Sequence, residues 1–489
     1  MKLFMLVVGP AVVELLLLFT PLWNARRIVS WLLAITVTLS SIVVGFLEPG
    51  VGAYLFALIN CYRVFNYGRI IEGRLHEAYL LASVRRAALW LLAGGVLSFG
   101  LAAWNTAISI WIIGLQILAG AVVFMSTRRQ TRTTTPSATL LPNGQLPTVT
   151  VAIPARNETD DLAACLDSVL ASDYQKLEIL VLDDNSRAKA AEVIRSLAHD
   201  GVRFIPGDKP RRNWLAKNQA YQRLAREANG ELILFCGVDI RFEPHSIRQL
   251  VSELVTSDKQ MVCVMPKNES RQGDPRFLLL QPMRYAWELA FPRRFFRRPP
   301  VLSSCWLIRR QALKNTGGFA AVTRMIVPEA FFAREMLSHD GYRFLHGNKL
   351  LGITSRKSVV EQRATAIRTR YPQLHKRPEL VCLTTIVALL AFVAPVPMLV
   401  NALLYSWPSY ATAGLWVAVA CQLAAYAKIV QVGFESHLNL NTMLLPVAVL
   451  ADIALLNYSM WKYEFSQVIW KGRQVTDTVM HRTPHLPKV

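Results

Sequence analysis

The chain is short of charge. Only 18% of its 489 residues are Asp, Glu, Lys or Arg, against about 25% in an ordinary soluble domain. Acidic residues are the scarcer kind, 33 against 54 basic ones, a formal net charge of +21. With 53% hydrophobic residues, this balance excludes a disordered chain, a collagen and a secreted mini-protein, and points to an integral membrane protein. In a soluble protein so basic a chain would suggest nucleic acid. No nucleic-acid motif occurs, so no such partner is expected. In a membrane protein Lys and Arg collect on the cytoplasmic side and meet anionic headgroups. The seven cysteines never stand at CxxC spacing, which argues against a disulfide framework or a zinc site. No repeat of fixed period occurs. His339, His346 and His437 are isolated and read as structural.

Long apolar runs are plentiful at both ends. A spanning helix needs about 20 mostly apolar residues. Runs at 3–22, 29–48, 50–66, 87–104 and 107–126 predict five N-terminal helices over region 1–130, the third interrupted by Asn60 and Arg63. Arg26 and Arg27, the group Arg63 to Arg86, and Arg128 to Arg132 fall on alternate connections. The positive-inside rule then places the chain after residue 127 in the cytosol. Residues 131–147 (TRTTTPSATLLPNGQLP) read as a linker. Apolar runs resume at about 380–405, 411–432 and 441–460, within a C-terminal membrane region 378–461. Three crossings there put the tail 462–489 outside, whereas Lys462, Lys471, Arg473 and Arg482 favour the inside. The segment VIWKGRQV reads as an amphipathic surface piece.

Between the two apolar regions, 148–377 is long enough for one soluble domain with its own core. Short β-branched runs at Thr148–Pro154, Glu178–Leu182, Val202–Ile205 and Leu232–Phe235 predict buried strands. Helical patterns at Asp160–Leu170, Ala190–His199 and Asn213–Asn229 alternate with them, and Gly230 suits the C′ position of the last. Such alternation predicts a mostly parallel sheet with helices on both faces. Ligands of these sheets bind beyond the carboxyl ends of the strands. Three of those ends carry Arg156-Asn157-Glu158, Asp183-Asp184 and Asp239. Each turn alone is ordinary turn chemistry; together they define a candidate site.

VAIPARNE (151–158), LDDNS (182–186), NWLAKNQA (213–220), GELILFCGVDIRFEP (230–244), GGF (317–319) and PEAFFAREMLSHDGYR (328–343) occur in one order. This series resembles the core motifs of family-2 glycosyltransferases over about 148–370. WLAKNQA and VIWKGR further resemble the branch that glycosylates membrane lipids, such as ceramide or carotenoid glucosyltransferases. The resemblance implies a GT-A fold, a nucleotide-diphosphate sugar donor, with UDP-sugar expected, and single displacement with inversion.

Residue by residue, the resemblance puts Glu158 and Asp184 at the base, with Pro154 shaping the slot. It puts Lys217 near the diphosphate, Trp214 against ribose or sugar, Asp239 on a divalent cation, Mg²⁺ or Mn²⁺, and Glu329 as the base that deprotonates the acceptor. Two departures stand out. The family's Asp-x-Asp is Gly237-Val238-Asp239 here, and its Glu-Asp is Pro328-Glu329. Glu329 also reads, on its own, as an exposed helix-start residue after Pro at N1.

Further on, Arg356, Gln362 and Arg363 are candidates for phosphate or acceptor contact, against the reading of a basic helix held by headgroups. The Gln-x-x-Arg-Trp motif of processive synthases is not matched there. The expected protein is an inner-membrane, cytosol-facing transferase moving one sugar to a lipid. A processive polysaccharide synthase and a non-catalytic nucleotide-sugar binder are the alternatives.

Overall fold

A computed structural model describes residues 26–47, 51–72, 106–137, 139–157, 160–184, 201–211, 213–269, 280–290, 299–434, 438–465, 468–470 and 473–475. The expected spans at 3–22 and 87–104, the helix at 190–199, Glu158 and His437 lie outside them. The chain divides into two compact units, residues 1–115, 376–390 and 407–411, and residues 116–375, 391–406 and 412–489.

In the first unit, α1 (Arg26–Leu47) packs on α2 (Val51–Ile71). The polar interruption is internal: Asn60 Nδ2 donates to Ser41 Oγ at 2.6 Å, and Arg63 Nη1 donates to Asn60 Oδ1 at 3.0 Å. Four described helices are long and apolar enough to cross a membrane: Ile28–Phe46, Ile110–Thr133, Pro378–Leu404 and Ser409–Gly433. In α2 the apolar stretch is only Phe56–Phe65.

The helix expected at 107–126 runs on as α3 (Thr106–Thr133). The expected linker is no loose tether. Thr134 Oγ1 meets His346 Nδ1 at 2.9 Å, Leu141 N donates to Ser252 Oγ at 3.0 Å, and Leu141 and Leu146 are buried. The helix takes in Thr131–Thr133, a 3-10 turn covers Asn143–Gln145, and the two leucines pack the strap down.

The second unit is built on strands whose side chains are almost all buried. Along the chain come β1 (Val149–Ala155), α4 (Asp160–Leu170), β2 (Leu177–Asp183), β3 (Val202–Pro206), α5 (Ala216–Glu227) and β4 (Leu232–Cys236). There follow β5 (Ile240–Phe242), α6 (Ser246–Thr256), β6 (Met261–Met265), β7 (Lys267–Asn268), α7 (Gln281–Leu289), β8 (Cys305–Arg309), α8 (Arg310–Asn315), α9 (Glu329–Ser338), β9 (Tyr342–His346) and β10 (Ile353–Ser355).

Seven strands form one sheet in the order β3-β2-β1-β4-β8-β6-β9. All neighbours are parallel except β8, which runs antiparallel to β4 and β6. This is the mostly parallel sheet that the alternation of strands and helices predicted. A second sheet, β5-β10-β7, lies beyond the end of β4.

The expected helix 213–229 is shorter at both ends. It closes on Ala228 in an extended conformation, so Gly230 is not a left-handed C′ residue. Glycine is required there for another reason: a Cβ would stand 2.6 Å from the backbone N of Thr150.

After the sheet come α10 (Val359–Gln373), opened by a Ser358–Glu361 capping box, then α11 (Pro378–Ala388), α12 (Pro395–Leu404), α13 (Ser409–Gly433), α14 (Leu438–Met443) and α15 (Leu445–Phe465). The third expected C-terminal span, α15, is not among the four membrane-length apolar helices. It carries Asp452, which pairs with Arg370 of α10 and accepts from Trp287 Nε1 at 2.9 Å. VIWKGRQV forms a short antiparallel ladder, Ile469–Trp470 with Arg473–Gln474.

Candidate active site

The carboxyl ends of β2, β1 and β4 are neighbours on one sheet edge. Pro154 sits in a central strand without disrupting it, because β1–β4 pairing stops at Ala152↔Phe235 and the missing N–H falls past that point. Asp184 is tied to the end of β1: its N–H donates to Ala155 O at 2.9 Å, and Arg156 Nη1 donates to Asp184 O at 2.7 Å. The same guanidinium faces Asp184 Oδ2 at 3.9 Å.

Asp239 follows β4 on the turn Gly237-Val238-Asp239. Its Oδ2 accepts from Ser355 Oγ of β10 at 2.8 Å, and its carbonyl accepts from Arg356 N at 2.9 Å. Its Oδ1 lies over Gly237. Cys236, just before, is an inert thiol: a hydrogen bond with Cys165, and then burial, push it well above its usual range.

Glu329 opens α9 yet is wholly buried, so the exposed helix-start reading fails. Pro328 and the following apolar face draw it under the sheet edge, where Phe332 joins Trp306, Phe235 and Phe319 in one aromatic cluster. Gly317 and Gly318, with φ of +82° and +59°, make the turn that brings Phe319 there. Ser303 Oγ donates to Glu329 Oε1, while Glu329 Oε2 has no partner among the described residues.

Lys217 begins α5, its ammonium 5.1 Å from the Tyr221 ring centre. Burial lowers its pKa to about 8; Glu329 and Asp239 pull it back up, while Arg368 and Lys357 lower it further. Lys217, Asp239 and Glu329 thus share one electrostatic neighbourhood. Within NWLAKN the structural anchor is Asn218, whose Nδ2 donates to Val322 O and Met325 O, both at 2.8 Å. Trp214 is half-buried ahead of α5, its N–H bonded to Arg211 O at 3.0 Å.

Of the candidates after β10, Arg356 meets Asp239 through its backbone N–H, while the three side chains have other surroundings. Arg356 Nε donates to Glu269 Oε2 at 2.6 Å, Gln362 Nε2 donates to Lys357 O at 2.9 Å, and Arg363 is exposed. Arg368 instead lies within electrostatic reach of Glu329, Lys217 and Tyr221. Sequence reasoning missed Arg368, Ser303 and Ser355, which carry no motif of their own; only the chain's return to the sheet edge assembles them.

Among the described residues, no three His, Cys, Asp or Glu side chains form a metal cage. A single half-buried carboxylate fits a hard cation whose other ligands are phosphate oxygens and waters. It does not fit a preformed protein cage.

Residues 150–317 match the model of glycosyl transferase family 2. The chain carries a family-2 glycosyltransferase domain. The matched segment runs from β1 through the Gly317 turn and includes Asp184, Lys217 and Asp239; Glu329 lies just beyond it.

The glycosyltransferase AglE of Haloferax volcanii is 30% identical over 104 residues, 20% of this chain and 32% of that protein. An uncharacterized Mycobacterium tuberculosis protein is 30% identical over 108 residues, 22% of this chain and 33% of that one. The chain spans about a third of the length of these curated relatives. A mannosyltransferase of Pyrobaculum calidifontis, solved with GDP-Man and Mn²⁺, aligns at a TM-score of 0.45 and 19% identity, over 73% of this chain and 97% of that one. TarS 1–349 of S. aureus aligns at 0.31 and 13%, over 67% and 95%.

Proposed function

We propose that this protein is an inverting glycosyltransferase that moves one sugar from a nucleotide-diphosphate sugar to a membrane lipid at the cytosolic face. The observation that carries this reading is a row of strands. Ser355, hydrogen-bonded to Asp239, pairs with Ile240 on one side and Asn268 on the other, and Asn268 bridges to Phe434 at the end of the Ser409–Gly433 helix. At about 4.8 Å per strand, the metal-binding carboxylate stands about 15 Å from the end of a membrane-length helix. A lipid hydroxyl at headgroup depth lies within that distance.

In this reading Asp184, steadied by Arg156, and Glu158 receive the base, with UDP as the expected donor. Trp214 walls the ribose or sugar. Lys217 offsets diphosphate charge, and Asp239 would hold a Mg²⁺ or Mn²⁺. When bound, that cation neutralises charge developing on the leaving diphosphate. Glu329 Oε2 accepts the proton of the acceptor hydroxyl as its oxygen bonds to the anomeric carbon; the bond from that carbon to the diphosphate breaks on the opposite face.

A buried carboxylate with one oxygen unpartnered is costly to keep, which favours an enzyme over a degenerate binder. Among the described C-terminal residues, Pro378–Leu404 and Ser409–Gly433 are long and apolar enough to cross, and an even number of crossings would accord with the basic residues of the tail.

The test is incubation of purified protein with Mn²⁺, total membrane lipid and radiolabelled UDP-, GDP- or dTDP-sugars. A labelled, lipid-soluble product is expected with one donor. A water-soluble polymer, or donor binding without turnover, overturns this reading.

A further inference from the structure

Pro372 lies inside α10. It has no N–H, so the carbonyl of Arg368, four residues back, loses its helical donor. The phenol of Tyr463 on α15 supplies one, at 2.7 Å. In the same turn Ser459 Oγ accepts from Tyr371 N at 3.2 Å and donates to Ile367 O at 2.5 Å. Beside these, Arg370 pairs with Asp452 and the Tyr371 hydroxyl bonds Glu464. The last turn of α10 is therefore completed by groups of α15. Arg368 rides on this turn, with Lys217 and Glu329 within its electrostatic reach.

We infer that Tyr463 and Ser459 are positioning residues that hold Arg368 against the diphosphate of the donor, completing the hydrogen bonding that Pro372 removes. The inference rests on the glycosyltransferase reading above. It gives α15 a task other than crossing the membrane. Without the Tyr463 hydroxyl, the Arg368 carbonyl loses the donor that stands in for the missing helical N–H, and the turn is freer to kink at Pro372. Arg368 then no longer holds one position, and a cation held in position is what diphosphate binding needs.

The experiment is steady-state kinetics on the purified full-length protein, varying donor and lipid acceptor separately. Tyr463→Phe raises the donor KM roughly fivefold to tenfold, the cost of one hydrogen bond, and leaves the acceptor KM unchanged. Adding Pro372→Ala returns an N–H to the Arg368 carbonyl and recovers most of that loss, which a merely structural role for the phenol would not. In an Arg368→Ala background, Tyr463→Phe adds nothing, because the residue it positions is gone. Should Tyr463→Phe not fold, Ser459→Ala carries the same expectation for the donor KM.

An unchanged donor KM in both variants overturns the inference. So does a rise in the acceptor KM alone, or a Tyr463→Phe defect that persists in full without Arg368. Absence of transfer by the unaltered protein overturns the glycosyltransferase reading, and this inference with it.

Discussion

A Cβ on residue 237 would stand 2.5 Å from Oδ1 of Asp239. The missing first carboxylate of the Asp-x-Asp motif and the retained second one therefore compete for the same space. Asp239 keeps its place through the hydroxyl of Ser355. An acid at 237 has first to move the Asp239 carboxylate, which its bond to Ser355 resists. Gly237→Ala is expected to break the Ser355 bond and raise the Mn²⁺ concentration for half-maximal turnover roughly tenfold. Asp239→Asn is expected to lower metal-dependent turnover by about 10² or more with the melting temperature retained. A metal titration of turnover beside a thermal melt checks both.

Glu329 is buried with one oxygen held by Ser303 and one unpartnered. Glu329→Gln preserves shape but accepts no proton. It should lower kcat by about 10²–10⁴ with the donor KM unchanged. Ser303→Ala leaves the carboxylate but frees its orientation, for a fall of roughly tenfold in kcat. Single-turnover measurements at saturating donor separate these losses from binding defects.

Desolvation of the half-buried Lys217 ammonium lowers its pKa from 10.5 to about 8. Below that pH its ammonium is present and, in the proposed role, offsets the diphosphate. As pH rises through about 8 the charge is lost, so donor affinity should fall. The same shift acts on stability with the opposite sign. Between about 8 and 10.5 the unfolded chain holds more protons than the folded one, so this residue's contribution to stability rises with pH. Weaker donor binding accompanied by an undiminished melting temperature over that window is the expected signature. Lys217→Arg, which stays protonated, should flatten the binding profile.

The parallel core was legible because β1, β2 and β4 are short apolar runs closed by Pro, Asp or Gly, and such runs have few other uses. The reversal of β8 was not, since Cys305–Arg309 reads as a buried strand in either direction. Gly230 misled because helix ends and close backbone approaches both select glycine. Asp184, Lys217 and Asp239 were nominated through local motifs, which mark the strand ends and helix start where they lie. Arg368, Ser303 and Ser355 were not, because each acts on a residue distant in sequence.

The sequence by itself determined the division into apolar ends and a charged middle, the alternation of strands and helices, and the carboxylates and lysine placed at strand ends and a helix start. These follow from composition, periodicity and turn chemistry, which act over a few residues. Only the tertiary structure decided that Glu329 is buried, that Asp239 fills the space above Gly237, and that α15 docks on α10 around Pro372. Those outcomes depend on which distant atoms fill a shared volume or supply a missing donor, and close packing settles that for the whole fold at once.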